Sequence, residues 1–549
     1  MLEDLALHSI AEEQTRELVR RLLNVLEDVR ADRRAAQADI QRLRNESNRL
    51  KGEQGQPARK PHTPPPPPKD LSAAQARRTP TAWSKGRQPD RIPIDREHVV
   101  AVALADLPPD AGCKGYADVV GQDGLFRTDK VLCRTETLSS PSPPTTSVAA
   151  LPQGSRGPCG PGIKSVALVW YFGAQMSAPK VAERLRSVGV PIADGQVSHL
   201  LIQGQAPFHA AQAARSQAGL ARSPWQHLED TSTRVNGQHG SCPIVCHPLS
   251  TASCTTAAKD RLTLIDGLTT HRPRRLLVHA EALGFLEACG VSVVRRQQGE
   301  HLPSGTIGEE ATMQALRETS RPGVGPQPRQ WIVDATAVAA SHAEVECPVV
   351  RLWVGDDAPQ CPVVTEELAL GWVHAGRHEK TLLPSIPYHQ GLLEAVVPRF
   401  WTSDDPWLAY REQPTPEEAT RLPEEFATRC ATGTGSQALD ERMATTRAKQ
   451  RCLLMMLAHP DIPLHNTPAE LGARARGRKR EVSVGPRTPE GARAWDTFMT
   501  RAATATTLGV SFYHYMQDRI SGTSQRPSLA DLIGERATML HLGASWDTS

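Results

Sequence analysis

The sequence predicts a multidomain α/β protein, and three observations carry that expectation. Its 549 residues exceed what one domain ordinarily holds. A hydrophobic share of 39% with 22% charged residues allows packed cores and excludes a wholly disordered or fibrous chain. From about residue 221 onward, short apolar runs with strand character alternate with segments of helical period. Lysine and arginine (63) nearly balance aspartate and glutamate (60), so affinity for a polyanion has to come from local basic stretches. No run of about 18 apolar residues is present, and the N-terminus lacks the layout of a signal peptide. Eleven cysteines without a CxxC pair suit a reducing compartment. A cytoplasmic protein with no membrane partner is expected.

Residues 1–52 read as a coiled-coil helix. Leu22, Val29, Ala36, Leu43 and Leu50 fall on one heptad seam, and Leu26, Arg33, Ile40 and Ser47 on the other, which predicts self-association as a homodimer. Residues 53–90 hold Pro64 to Pro68 in a row with Lys60, Lys69, Arg77, Arg78, Lys85 and Arg87, the composition of an extended basic linker. A small β-rich module is expected over 91–155, with strands at Val99–Leu104 and Leu125–Val131. Over 156–215, Ser177 before Pro179 opens one short helix and Asp194 a second after a turn at Gly189. This is a helix-turn-helix candidate whose Gln196, Ser198 and His199 could face a DNA groove; an ordinary helical hairpin gives the same pattern.

Beyond it, "WQHLEDTSTRV", "CPIVCHP" and "SCTT" read as three strands, Asp260 to Leu268 as a helix and "CPVVRLWVGDD" as a further strand. Strands, helix, strand and helix in that order are those of a ribonuclease H-like sheet, here expected over 216–380 and 461–525 around a helical insertion at 381–460, with a C-terminal helix and tail at 526–549. Three acidic positions stand out: Glu229 or Asp230 within the first strand, Asp356 or Asp357 at the end of the later one, and Glu470 at a helix start. A strand alternates its faces, so each adjacent pair offers one ligand and one bystander. Gathered together, three such carboxylates could hold two magnesium ions about 4 Å apart for phosphoryl transfer. Cys242, Cys246, His247 and His239 are expected in a strand pair as core residues rather than as zinc ligands.

Local wording adds a resemblance. "LEDTSTRVNGQ", "VVRLWVGDDAPQ", "GWVHAGRH", "LHNTPAELGARARGRKR" and "GVSFYHYMQDRISG", with "RLRNESNRLKGEQGQP" and "FGAQMSAPKVAERLRSVGV" toward the N-terminus, together resemble the insertion-sequence-66 family of bacterial transposases. The resemblance implies an Asp, Asp, Glu catalytic triad on a ribonuclease H-like core with a helical insertion, falling on Glu229, Asp356 and Glu470 as catalytic and metal-holding residues, with Asp230 and Asp357 as alternatives. It also implies magnesium, for which manganese can substitute, and a nucleoid-associated protein. Double-stranded DNA, as terminal inverted repeats and target, would be the partner, with accessory proteins of the same element. The resemblance makes Arg377 a phosphate-side candidate; separately, five of the seven residues from Arg474 to Arg480 are basic, and Arg474 and Arg478, one and two turns after Glu470, are expected on its side with Lys479 as a further DNA-side residue.

The departures bear on activity. Glu229 stands where the family has Asp, and the extra methylene displaces the oxygens by on the order of 1 Å, a misplacement able to cost roughly 100-fold in rate. Ala375 replaces an acid in "HDGRH", while Pro406 and Pro423 enter segments expected to be helical. An impaired enzyme, or a DNA-binding remnant that no longer cuts, is therefore expected beside the intact one.

Overall fold

The computed structural model describes residues 12–50, 128–141, 144–150, 159–223, 225–268, 274–288, 305–308, 326–344, 352–358, 364–401, 404–431, 433–540 and 542. The basic linker and the strand expected at Val99–Leu104 lie outside them. The chain divides into two compact units, one of Met1–Gln56, Cys133–Arg186 and Pro191–Ser549, the other of Pro57–Leu132 with Ser187–Val190. In the second, Thr128 Oγ1 donates to the Val188 carbonyl at 2.9 Å.

The first unit opens with helix α1, Glu13–Leu50. Strands β1 (Thr137–Pro141) and β2 (Pro144–Val148) form an antiparallel hairpin. Of the strand expected at Leu125–Val131, the described residues 128–131 are not in a strand. Helix α2 (Pro161–Leu168) runs into a π-helical turn at Val169–Gly173, followed by α3 (Ala178–Ser187), α4 (Asp194–Ile202) and α5 (Ala206–Ala221). Buried Val181, Ala182 and Leu185 on α3, and Val197, Leu200 and Leu201 on α4, explain why these amphipathic segments fold as helices.

Next come β3 (Trp225–Val235), β4 (Gln238–His247) and β5 (Ser250–Ser253), then α6 (Arg261–Leu268), β6 (Arg275–Val278), α7 (Ala280–Ala288), β7 (Gly305–Gly308) and α8 (Pro326–His342). Asn236 and Gly237, both at positive φ, make the tight β3–β4 turn. Strands β8 (Leu352–Gly355) and β9 (Glu367–Leu370) complete a five-stranded sheet of order β5-β4-β3-β8-β9. The first three strands pair antiparallel, while β8 and β9 join parallel to β3, giving a mixed α/β architecture. Strand β8 is shorter than the run "CPVVRLWVGDD" and ends one residue before Asp356. Strand β5 lies at Ser250–Ser253, three residues earlier than "SCTT".

Alternation along β3 and β8 feeds two cores. Leu228 and Trp353 point to one side, among Leu276, Ile332 and Val338. Trp225, Leu352 and Val354 point to the other, among Trp372, Trp407, Phe426 and Leu453. Helices α9 (Trp372–Lys380), α10 (Pro387–Trp401), α11 (Asp404–Glu412), α12 (Pro416–Ala431) and α13 (Gln437–Ala448) build the second core. Pro406 sits in the first turn of α11, where the missing N–H would be unbonded anyway, so it does not break the helix as its position in sequence suggested. Pro423 lies inside α12 and is tolerated there, with Gln450 Nε2 donating to its carbonyl at 3.1 Å. The chain closes with α14 (Thr467–Ser483), α15 (Pro489–Thr507), α16 (Phe512–Ser521) and α17 (Leu529–Leu540).

Helix α1 docks on its own chain, beside the self-association that its heptad pattern predicts. Leu23 is buried with Ile386 beside Val19, Leu26 and Tyr388. Glu27 accepts from Ser385 N and Oγ at 2.6 and 2.7 Å and from Ile386 N at 3.1 Å. Burial works to raise its pKa, but these bonds and His389 hold it below the ordinary carboxylate value. The heptad residues Leu22, Val29, Ile40 and Leu43 stay more than half-exposed or nearly so.

Candidate active site

The register of β3 against β8 pairs His227 with Val354, so two residues further on Glu229 lies level with Asp356, just past the end of β8. Helix α14 crosses the same face of the sheet. Its Gly472 makes the close approach: a Cβ there would stand 2.7 Å from Ile244 Cγ2. Ala469 completes the contact by packing on Cys242, Ile244 and Cys246. Asn466 precedes the helix with Pro468 in its first turn, and Glu470 follows in that turn, where the helix dipole favours an acid.

These elements bring Glu229 and Glu470 to a common neighbour. His374 Nε2, from α9, lies 3.0 Å from Glu470 Oε1 and 3.5 Å from Glu229 Oε2, and all three side chains are less than one-fifth exposed. Asn466 joins strand and helix: its Nδ2 donates to the Leu228 carbonyl at 2.8 Å and to Glu229 Oε2 at 3.0 Å. Its Oδ1 faces His227 Nδ1 at 3.2 Å, and burial pushes the His227 pKa down to about 4, leaving a neutral ring. The Asp356 carboxyl is raised above its ordinary pKa, first by burial and then by the charge of Glu229, against the opposing pull of Lys259 and His374.

The two alternative acids are each paired with a lysine, and Asp230 lines a small pocket with Lys259 and Asp356. Asp230 faces the other side of the sheet, where it accepts from Ser241 Oγ and pairs with Lys259 Nζ at 3.3 Å. Asp357 is paired with Lys449 Nζ. Strand alternation thus separates the members of the first pair, and Lys449 at the end of α13, 92 residues on, captures the second member of the other.

The DNA-side candidates divide. Arg474 is well exposed and reaches Glu470 Oε2 at 3.4 Å, and Arg478 is exposed one turn later. Lys479 is a correction: it is fully buried, its Nζ donates to the Met176 carbonyl at 2.7 Å and lies 3.2 Å from the centre of the Tyr171 ring, and burial pulls its pKa down to about 7. Arg476 is buried too, held by Thr255 Oγ1 at 2.6 Å and Asp496 Oδ1 at 2.8 Å. Arg377 belongs to α9, and its side chain lies outside the described residues. On α4, Gln196 and His199 are exposed and Ser198 is half-buried; Gln196 Oε1 accepts from Ala193 N at 2.9 Å. Cys242 and Cys246 are buried in the strand β4 core, and burial pushes their thiols up to about 12 and about 11, while His247 bonds Ser250 Oγ at 2.5 Å.

Sequence reasoning missed Asn466 and assigned no role to His374. Asn466 carried a signal, since Asn before Thr-Pro is a helix-start pattern. The position of His374 between two acids has no local signal, because it depends on α9 and α14 meeting in space.

The three carboxylates are oxygen donors of the kind that a hard divalent cation takes. Glu229 and Asp356 repel one another, a strain such an ion would relieve. Among the described residues, no three His, Cys, Asp or Glu side chains gather closely enough to hold a metal in this arrangement. The donors fit magnesium in kind, with the imidazole of His374 lying between two of them.

No protein-family model matches the chain. No solved structure matches it significantly. The chain is similar to an uncharacterised protein, y4jO, of Sinorhizobium fredii, with 27% identity over 351 residues that cover 58% of this chain and 99% of the relative.

Proposed function

We propose that the chain is a DNA transposase of the insertion-sequence-66 type, built on a ribonuclease H-like core. One observation carries the reading: Glu229 on a central strand and Glu470 at a helix start meet at His374, level with Asp356 at the end of the neighbouring parallel strand. The sheet order, three antiparallel strands followed by two parallel ones, supports the core assignment.

In this reading Glu229, Asp356 and Glu470 would hold magnesium ions, which when bound supply an activated water and stabilise the leaving oxygen of a phosphodiester. The chain's own residues do the rest. Asn466 fixes the Glu229 carboxylate against the start of α14. Arg474, beside Glu470, and Arg478, one turn on, present positive charge for the phosphates of a DNA strand. Gln196, Ser198 and His199 would read terminal repeats, Arg377 would add a phosphate contact, and the exposed seam of α1 would pair two copies.

A second reading, a DNA-binding protein that does not cut, is favoured by the longer Glu229 at the first acidic position and by His374 between the two glutamates. Repeat-end DNA incubated with the full chain and magnesium or manganese separates them. Nicking that is lost in Asp356→Ala and rises in Glu229→Asp supports the transposase; binding without nicking in both the natural chain and Glu229→Asp supports the second reading.

A further inference from the structure

On the side of the sheet away from Glu229 and Glu470 lies a cavity of about 710 Å³, within the range of small-molecule sites. Helix α5 and strands β3 to β5 wall it, with α6 and α15 at its sides. Apolar surface from Leu220, Val245, Leu264, Leu268 and Trp353 dominates the wall.

Into this setting α5 delivers Arg215, 1% exposed. Its Nη atoms donate to the Thr251 carbonyl at 3.3 Å and to Ser216 Oγ at 3.1 Å, but its Nε–H has no acceptor. No carboxylate among the described residues pairs with it. The one acid in the wall, Asp496, is taken by Thr255 N and Oγ1, each at 2.8 Å, and by Arg476. Burial and the nearby charge of Arg501 pull the Arg215 pKa down to about 9, so it remains a cation at neutral pH. His247 and His209 also line the space and are neutral there, their pKa values pushed down by burial to about 3 and about 4.

Three further polar atoms of the wall stand without partners: Trp353 Nε1 and Gln226 Oε1, both on side chains at most 1% exposed, and Gln212 Oε1. An unpaired buried cation and unbonded polar groups are each costly, and a native core rarely carries several in one place. Exposed Arg493 and Gln238 also stand in the wall, so the space communicates with solvent.

We propose that this cavity binds a small organic anion, its carboxylate or phosphate head on the guanidinium of Arg215 and its apolar body against Trp353 and the leucines of α5 and α6. The ligand would supply the missing counter-charge, and a charge-assisted bond to Arg215 would give it its orientation. This site is independent of the acids on the other face and of the reading of those acids.

The test is calorimetric titration of the full chain with decanoate, decyl phosphate and decan-1-ol. At least one anion is expected to bind about tenfold or more tightly than the alcohol, and the tighter anion identifies the head group. Arg215→Met is expected to weaken that binding by about tenfold or more, as loss of a charged hydrogen-bond partner should. Equal affinity for the alcohol, no binding of either anion, or undiminished binding by Arg215→Met overturns the proposal. Should that variant fail to fold, Ala213→Phe fills the space from α5 and leaves the arginine: loss of anion binding supports the site, and retention overturns it.

Discussion

Replacing Asn466 by aspartate changes one atom type at a buried junction, and the structure sets the consequence. The amide nitrogen donates to the Leu228 carbonyl and to Glu229 Oε2; an oxygen there would face two acceptors at 2.8 and 3.0 Å. At an effective dielectric constant of about 20, two like charges 3 Å apart repel by about 5 kcal/mol, and partial exposure of Glu229 reduces that to roughly 3 kcal/mol. The new carboxylate would escape the repulsion by taking a proton, so its pKa in the folded protein is raised above its unfolded value. The sign follows: the penalty is absent below the ordinary carboxylate pKa of about 4, grows as pH rises through the folded pKa, and is complete above it. Asn466→Ala instead leaves His227 Nδ1 and the Leu228 carbonyl without their partner, a cost of about 2–4 kcal/mol that changes little with pH. Urea unfolding of the natural chain and both variants between about pH 5 and pH 8 measures the differences. An aspartate variant as stable as the natural chain at the upper pH, or a deficit that does not shrink on acidification, would refute the role assigned to Asn466.

Other expectations follow from the same contacts. Gly472→Ala adds a methyl 2.7 Å from Ile244 Cγ2, so the overpacking cost of about 1–3 kcal/mol should exceed the gain of about 1 kcal/mol in helix propensity; a raised melting temperature would contradict the close packing of α14. His227 is neutral when folded, with a pKa of about 4 against about 6.5 unfolded, so stability should fall as pH drops through that window, and His227→Gln should flatten the acid limb of the stability profile. Lys479 has the converse titration range: its folded pKa of about 7 lies below the unfolded value near 10.5, so stability is lost as pH falls from about 10 toward 7. Lys479→Met should abolish that slope and leave the salt dependence of any DNA binding unchanged, whereas Arg478→Ala should reduce the salt slope by about one.

Much of the sheet was legible because its alternation is local. Strand β3 occupies Trp225–Val235, the run that the sequence marked, and its two faces sort Glu229 from Asp230 as alternation requires. The four-residue strands β6, β7 and β9 were not legible, since so short a run carries no period. The basic run of α14 misled for a different reason. Charge counting puts Lys479 with Arg474 and Arg478 on the DNA side, yet Ala469, Gly472, Arg476 and Lys479 recur at three- and four-residue spacing and form the buried side of the helix. The small residues at 469 and 472 were the available clue. Aromatic cover from Tyr171 and Trp495, which makes a buried lysine tolerable, comes from elements that no local pattern links to α14.

The docking of α1 sets a timing problem for synthesis. Glu27 emerges from the ribosome early, but its partner Ser385 lies 358 residues later in the chain. At translation speeds of about 5–20 residues per second, the interval is on the order of 20–70 s. During that time Leu23 has no Ile386 to pack on, and the leucines and valines around it form a continuous apolar strip on a nascent chain. A newly made copy is thus open to chaperone capture, or to a neighbouring copy on the same messenger, well before its own landing site exists.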